Sequence, residues 1–197
     1  MKGPAVIKIG GSLVADPGTL REVGGAVARM AGRTPVVVVP GGGPFADVVR
    51  SVDQSFPLPA STAHWMAILG MDQYAHLLAA IIPGASVVND RLGIQQAHAA
   101  GAVPVLAPWR WLSAADELPH SWEVTSDSLA AYLVMLLGSD RLLLVKPASG
   151  NGDAMVDPYF LKALPAGVSW RTTGPRELAA AEEWLLAPGR GARESSD

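Results

Sequence analysis

Short runs of apolar, β-branched residues alternate with stretches of helical periodicity along most of this chain. The runs Ala5 to Ile9, Pro35 to Val39, Ala85 to Val88, Val103 to Leu106 and Arg141 to Val145 are nearly continuous in their hydrophobicity. Strands of that kind are covered on both faces, so they predict a mostly parallel sheet rather than a half-solvated antiparallel one. Helical periodicity occupies Thr19 to Met30, Phe45 to Ser51, Thr62 to Ile82, Ile94 to Ala100 and Ser128 to Leu137, with a last helix from about Pro175 to Leu186. Pro17 and Pro44 stand at positions that helix starts tolerate. The expected fold is an α/β three-layer αβα sandwich around a mostly parallel sheet. No internal repeat is present.

Glycine clusters follow two of these strands. Lys8-Ile9-Gly10-Gly11-Ser12 closes the first, and Pro40-Gly41-Gly42-Gly43-Pro44 closes the second. In an open α/β sheet the carboxyl edge of the strands is where ligands bind, and glycine lets backbone N–H groups approach an anion closely. The second cluster also leads into a helix, whose N-terminal N–H groups and dipole favour negative charge. Tight strand-to-helix turns would account for one Gly-Gly pair; two clusters on equivalent edges point to phosphate binding. Neither fits G-x-x-x-x-G-K-[ST] or G-x-G-x-x-G, so P-loop and dinucleotide fingerprints are absent.

Lys8 interrupts an apolar strand two residues before Gly10, and alternation aims it to the same side as that glycine. An ammonium there calls for an anionic partner. A third motif, Thr125-Ser126-Asp127-Ser128, precedes the apolar helix. It reads equally as an N-cap with a carboxylate in the first turn, or as a charged partner placing Asp127 against Lys8.

Composition narrows the function classes. The 197 residues are 49% hydrophobic and 17% charged, which is globular, and the expected organisation is one domain over 1–187 with a frayed tail over 188–197. A net charge of -3 without a Lys/Arg run disfavours nucleic acid and anionic membrane surfaces as partners. The absence of cysteine removes disulfides, thiolate metal sites and a Cys nucleophile. No basic leader precedes the first strand, and the longest apolar run, Leu129 to Leu137, is too short to span a bilayer, so a cytoplasmic location is expected. The four histidines lack metal-ligand spacing and read as structural.

Three segments together resemble the amino acid kinase superfamily: Val6-Ile7-Lys8-Ile9-Gly10-Gly11-Ser12, Val39-Pro40-Gly41-Gly42-Gly43-Pro44-Phe45-Ala46-Asp47, and Ser126-Asp127-Ser128-Leu129-Ala130-Ala131. That superfamily includes acetylglutamate, carbamate, uridylate and isopentenyl phosphate kinases. The segment Leu118 to Asp127 is most similar to its short archaeal-type branch, which includes the aminomethylfuran-methyl phosphate kinase of methanofuran biosynthesis. The resemblance implies an ATP-dependent kinase with Mg2+ held mainly by nucleotide and water, acting on a small phosphate monoester, and an assembly of at least two copies.

Residue by residue, it implies that Lys8, Gly10 and Gly11 stabilise the transferring phosphoryl group, that Asp127 orients the lysine, and that Gly42 and Gly43 hold the acceptor's anionic end, with Gly41 beside them. Ser12 would join the ATP-binding loop. Lys146-Pro147-Ala148-Ser149-Gly150 stands where relatives carry an acidic turn at the nucleotide site; Lys146 is then a second phosphate-binding cation, with Ser149 and Gly150 in the same turn, and Lys162 an alternative to it. Relatives commonly end in Gly-Thr, which this chain lacks. Charge matching to an aminomethyl acceptor brings in Asp47 or Asp72 for the ammonium and Arg50 for the phosphate. Trp109, Trp111 and Trp122 bracket the segment before Asp127 and offer either an aromatic wall or sheet-edge packing. Two rivals remain: a kinase for another phosphate monoester, and a non-catalytic nucleotide- or oxyanion-binding protein on the same fold.

Overall fold

A computed structural model of the chain describes residues 3–148 and 155–187. Ser149, Gly150 and the tail over 188–197 lie outside the described residues. Six parallel strands form one sheet in the order β3-β4-β2-β1-β5-β6. They are β1 (Ala5–Ile9), β2 (Val36–Pro40), β3 (Ala85–Val88), β4 (Val103–Leu106), β5 (Arg141–Val145) and β6 (Ser169–Thr173). The helices are α1 (Pro17–Ala31), α2 (Gly43–Ser55), α3 (Ala60–Ile81), α4 (Arg91–Ala99), α5 (Trp109–Ala115), α6 (Ser126–Leu137), α7 (Phe160–Ala163) and α8 (Leu178–Leu186).

Strand alternation divides the interior into two layers. Ile7, Ile9, Val36, Val38, Leu143 and Val145 face α1, α8 and the C-terminal half of α3. Val6, Val37, Val39, Leu142 and Leu144 face α6, with Ile94 of α4 and Phe160 of α7 in the same cluster. Each fully buried aliphatic side chain of this kind contributes about 1.5–3 kcal/mol, and the two-sided burial is why these strands read as unbroken apolar runs. The three-layer αβα architecture expected from that pattern is the one observed.

Elements absent from the sequence reading are β6, α5, α7 and a 3₁₀ turn over Gly11–Ala15. Strand β6, Ser-Trp-Arg-Thr-Thr, pairs among the described residues only with β5, at the edge of the sheet, and needs no continuous apolar run. Helix α5 buries only Leu112, so its periodicity is weak. Helix α1 begins two residues earlier than predicted because Asp16 accepts the Thr19 N–H at 3.0 Å and Pro17 occupies the first turn. Among the described residues no helix is long and apolar enough to cross a membrane.

Candidate functional site

The carboxyl ends of β1 and β2 are neighbours in the sheet, with Lys8 level with Val39 and Ile9 with Pro40. The two glycine clusters therefore leave the sheet side by side and touch through their backbones. Gly41 donates to the Ile9 carbonyl at 2.8 Å, and Gly10 donates to the Val145 carbonyl of β5 at 2.8 Å. Tyr74 of α3, fully buried, donates its hydroxyl to the Gly10 carbonyl at 3.3 Å. Gly43 adopts φ 55°, a left-handed conformation that glycine takes without strain, and so turns β2 into α2. Among the described residues no side chain caps the N-terminus of α2.

These loops open onto a cavity of about 460 Å³ lined by Lys8, Gly10, Gly11, Ser12, Gly42 and Gly43 on one side. Lys8 points toward the α6 layer, as its parity with Val6 requires, and its ammonium meets Asp127 Oδ1 at 2.7 Å. Lys146, one residue past β5, brings its ammonium to Asp127 Oδ2 at 2.5 Å. One carboxylate thus holds two ammonium groups at the mouth of the strands. Lys8 and Asp127 are each 4% exposed. Burial alone raises the Asp127 carboxyl, but the Lys8 charge and the hydrogen bonds from both lysines outweigh it and hold the group below the usual carboxylate range. For Lys8, burial is the largest influence and lowers the ammonium below an ordinary lysine, against the pull of Asp127.

The helix bearing Asp127 is anchored by a residue that sequence reasoning missed. Asp157 accepts the Thr125 N–H at 3.1 Å, the Thr125 hydroxyl at 2.6 Å and the Ser128 N–H at 3.0 Å, together with the Ser128 hydroxyl. Two residues upstream, the Met155 carbonyl accepts from the Lys146 ammonium. The stretch 155–159 therefore fixes both the first turn of α6 and the second lysine. Its only signal in the sequence is an aspartate before Pro158, a common loop pattern.

Of the expected acceptor residues, Gly42, Gly43, Asp47 and Arg50 line the cavity. Gly41 and Asp72 are not in that lining. Gly41 lies against the Gly11 backbone, where an added Cβ would come within 2.5 Å of the Gly11 nitrogen. Asp72 accepts the Trp109 N–H at 3.0 Å and ties α3 to α5; it follows cavity-lining Met71 by one residue, and one step along a helix turns a side chain by about 100°. Trp109 and Trp111 belong to α5, and Trp122 alone of the three lines the cavity. Lys162 is elsewhere, its ammonium 5.6 Å from the centre of the Tyr159 ring. His64 of α3 does line the cavity, stacked on His120 with ring centres 4.4 Å apart. Among the described residues no three His, Cys, Asp or Glu side chains are grouped to hold a metal ion. Each oxygen of Asp127 accepts from a lysine ammonium, so this carboxylate is arranged to hold cations of the protein itself.

The sequence profile of the Amino acid kinase family matches residues 4–150, which carry both glycine loops, Lys8, Asp127 and Lys146. The chain belongs to the amino acid kinase family. This kinase is 32% identical over 162 residues to the [5-(aminomethyl)furan-3-yl]methyl phosphate kinase of Methanocaldococcus jannaschii, an alignment covering 82% of the chain and 74% of that protein. Its fold is similar to that of the uridylate kinase of Archaeoglobus fulgidus, with a TM-score of 0.69, 16% identity and coverage of 91% and 95% of the two chains. The UMP kinase of Ureaplasma parvum is similar at a TM-score of 0.57 and 17% identity, over 93% of this chain and 86% of that one.

Proposed function

We propose that this kinase transfers the terminal phosphoryl group of ATP to a small phosphate monoester, [5-(aminomethyl)furan-3-yl]methyl phosphate, giving the corresponding diphosphate. The observation that carries the reading is the single carboxylate of Asp127 bridging Lys8 and Lys146 where the two glycine turns meet. The identity of the acceptor is supported by the 32% identical relative.

In this reading Gly10, Gly11, Ser12 and Lys146 meet the nucleotide phosphates. Gly42 and Gly43, at the uncapped N-terminus of α2, hold the acceptor phosphate. Lys8 stands between them, where negative charge builds on the oxygens of the phosphoryl group in flight. An acceptor phosphate oxygen is already deprotonated at neutral pH, so no general base is required; positioning and charge neutralisation do the chemistry. The oxygen forms the new P–O bond while the bond to the ADP leaving oxygen breaks, and no proton need move. Asp127 takes no part in bond making. Its role is to hold two mutually repelling ammonium groups close together and deny either one a retreat into water.

A coupled ADP-release assay over a panel of phosphate monoesters tests this. Turnover with the aminomethylfuran ester above isopentenyl phosphate and UMP is expected. Turnover confined to another monoester would replace the acceptor, and ATP binding without turnover on any would favour a binding protein.

A further inference from the structure

Away from the lysines, the cavity wall is built by the C-terminal half of α2 and by the segment joining α5 to α6. Asp53 and Trp122 meet there. The indole N–H of Trp122 donates to Asp53 Oδ2 at 2.8 Å, and the Leu58 N–H donates to Oδ1 at 3.0 Å. The Arg50 guanidinium lies 4.9 Å above the Trp122 ring. Leu58, Ala60 and Ala63 add apolar surface to the same end of the cavity.

Two features set Asp53 apart. Its hydrogen bonds come from neutral donors, and it forms no ion pair among the described residues, so a full negative charge is oriented at the cavity wall without a counter-ion. The other carboxylate at this end, Asp47, is 70% exposed and 3.7 Å from Arg50, its own partner. The hydrogen bonds from Trp122 and Leu58 also hold the Asp53 carboxyl below its ordinary range, keeping it ionised. An acceptor that covered this carboxylate without offering a positive group would desolvate it uncompensated, which disfavours neutral analogues.

Position along α2 sets the length of what fits. Gly43 begins the helix and Asp53 lies ten residues on, roughly 15 Å at the α-helical rise. Subtracting a contact shell at each end leaves space for one small ring with a phosphate arm and an amine arm.

We infer that Asp53 is the specificity determinant of the acceptor site: it receives a protonated primary amine on the substituent of a phosphate monoester, while Trp122 forms the wall against which a flat ring lies. This rests on the acceptor reading given under Proposed function and adds the residue that would enforce it.

The test compares kcat/KM for the furan monoester bearing an aminomethyl arm with that for the isostere bearing a hydroxymethyl arm. The wild-type kinase is expected to prefer the amine by at least about tenfold, the range of a hydrogen bond to a charged group. Asp53→Asn should bring that ratio near one, whereas Asp47→Asn should retain it. A ratio unchanged in Asp53→Asn, equal proportional losses on both esters, or collapse in Asp47→Asn instead would each overturn the assignment. Wild-type turnover of both furan esters without amine preference sinks this inference alone. Turnover of neither, with another monoester accepted, takes the acceptor reading down with it.

Discussion

Gly11 and Gly43 meet backbone to backbone: a Cβ placed on Gly11 would lie 2.0 Å from the Gly43 nitrogen and 2.3 Å from its Cα. No rotamer change relieves a clash with main-chain atoms, so the two loops can stay together only if position 11 lacks a side chain, while Gly43 answers to its left-handed φ of 55°. Because α2 starts at Gly43, any displacement also shifts the helix N-terminus proposed to hold the acceptor.

Gly11→Ala is therefore expected to cost on the order of 1–3 kcal/mol of stability, as overpacking does, and to lower turnover by about a hundredfold, since small misplacements of reacting groups have costs of that size. Thermal melting and steady-state kinetics on one preparation check it. Wild-type turnover in this variant would mean that the junction of the loops does not organise the site.

Lys8→Ala should reduce kcat by a factor on the order of a hundred or more, the usual loss for one preorganised donor. The pH dependence gives a second reading. The folded-state pKa of Lys8 is lowered below 10.5. Between those two values the unfolded chain binds more protons, so this group makes stability rise with pH up to about 10.5. Activity does the reverse, because the neutral amine no longer offsets phosphoryl charge. The expected outcome is an alkaline fall in kcat over a range where wild-type stability, relative to Lys8→Met, still climbs. Stability that fell along with kcat in that comparison would contradict the assigned shift.

The strands and loops around Lys8 were legible because they are constrained locally. Strands β1, β2 and β5 are buried on both faces and so carry unbroken apolar sequence, against which a lysine and two glycine clusters stand out. Strand β6 was hidden because an edge strand can carry Arg171 and Thr172 without an apolar run. The residues that complete the site from a distance left no such mark. Asp157 reaches Thr125 across 32 residues and Asp53 reaches Trp122 across 69, and neither pairing imposes a spacing that one segment reveals. Asp72 differs again: its charge is visible in the sequence, but its bond to the Trp109 N–H of α5 is not.

Asp157 should behave as a positioning residue for Asp127. Asp157→Asn keeps one carbonyl oxygen but loses the charge at the start of α6 and at least one of the bonds to Thr125 and Ser128. A loss of about 1–2 kcal/mol is expected, the scale of a removed N-cap, with kcat down by roughly tenfold and ATP KM changed much less. The split is diagnostic, because simple destabilisation lowers the folded fraction without altering kcat per folded molecule. An unchanged kcat at equal folded fraction would reduce Asp157 to a structural cap.

His64 supplies an acid-side prediction. Its ring is stacked on His120 at the cavity wall, and burial first, then the His120 charge, push its pKa from 6.5 down to about 4, with Asp116 pulling weakly the other way. The folded protein therefore holds His64 neutral at neutral pH. As pH falls below 6.5 the unfolded chain takes up the proton and the folded chain does not, so the contribution to stability is complete above 6.5, declines with acidification, and is gone by about 4. After allowance for solvent in the cavity, the change amounts to about 1–2 kcal/mol. His64→Gln should flatten the wild-type decline across that interval in urea titrations at stepped pH. A variant that lost stability with the full wild-type slope would show that His64 titrates normally and that the decline belongs to other groups.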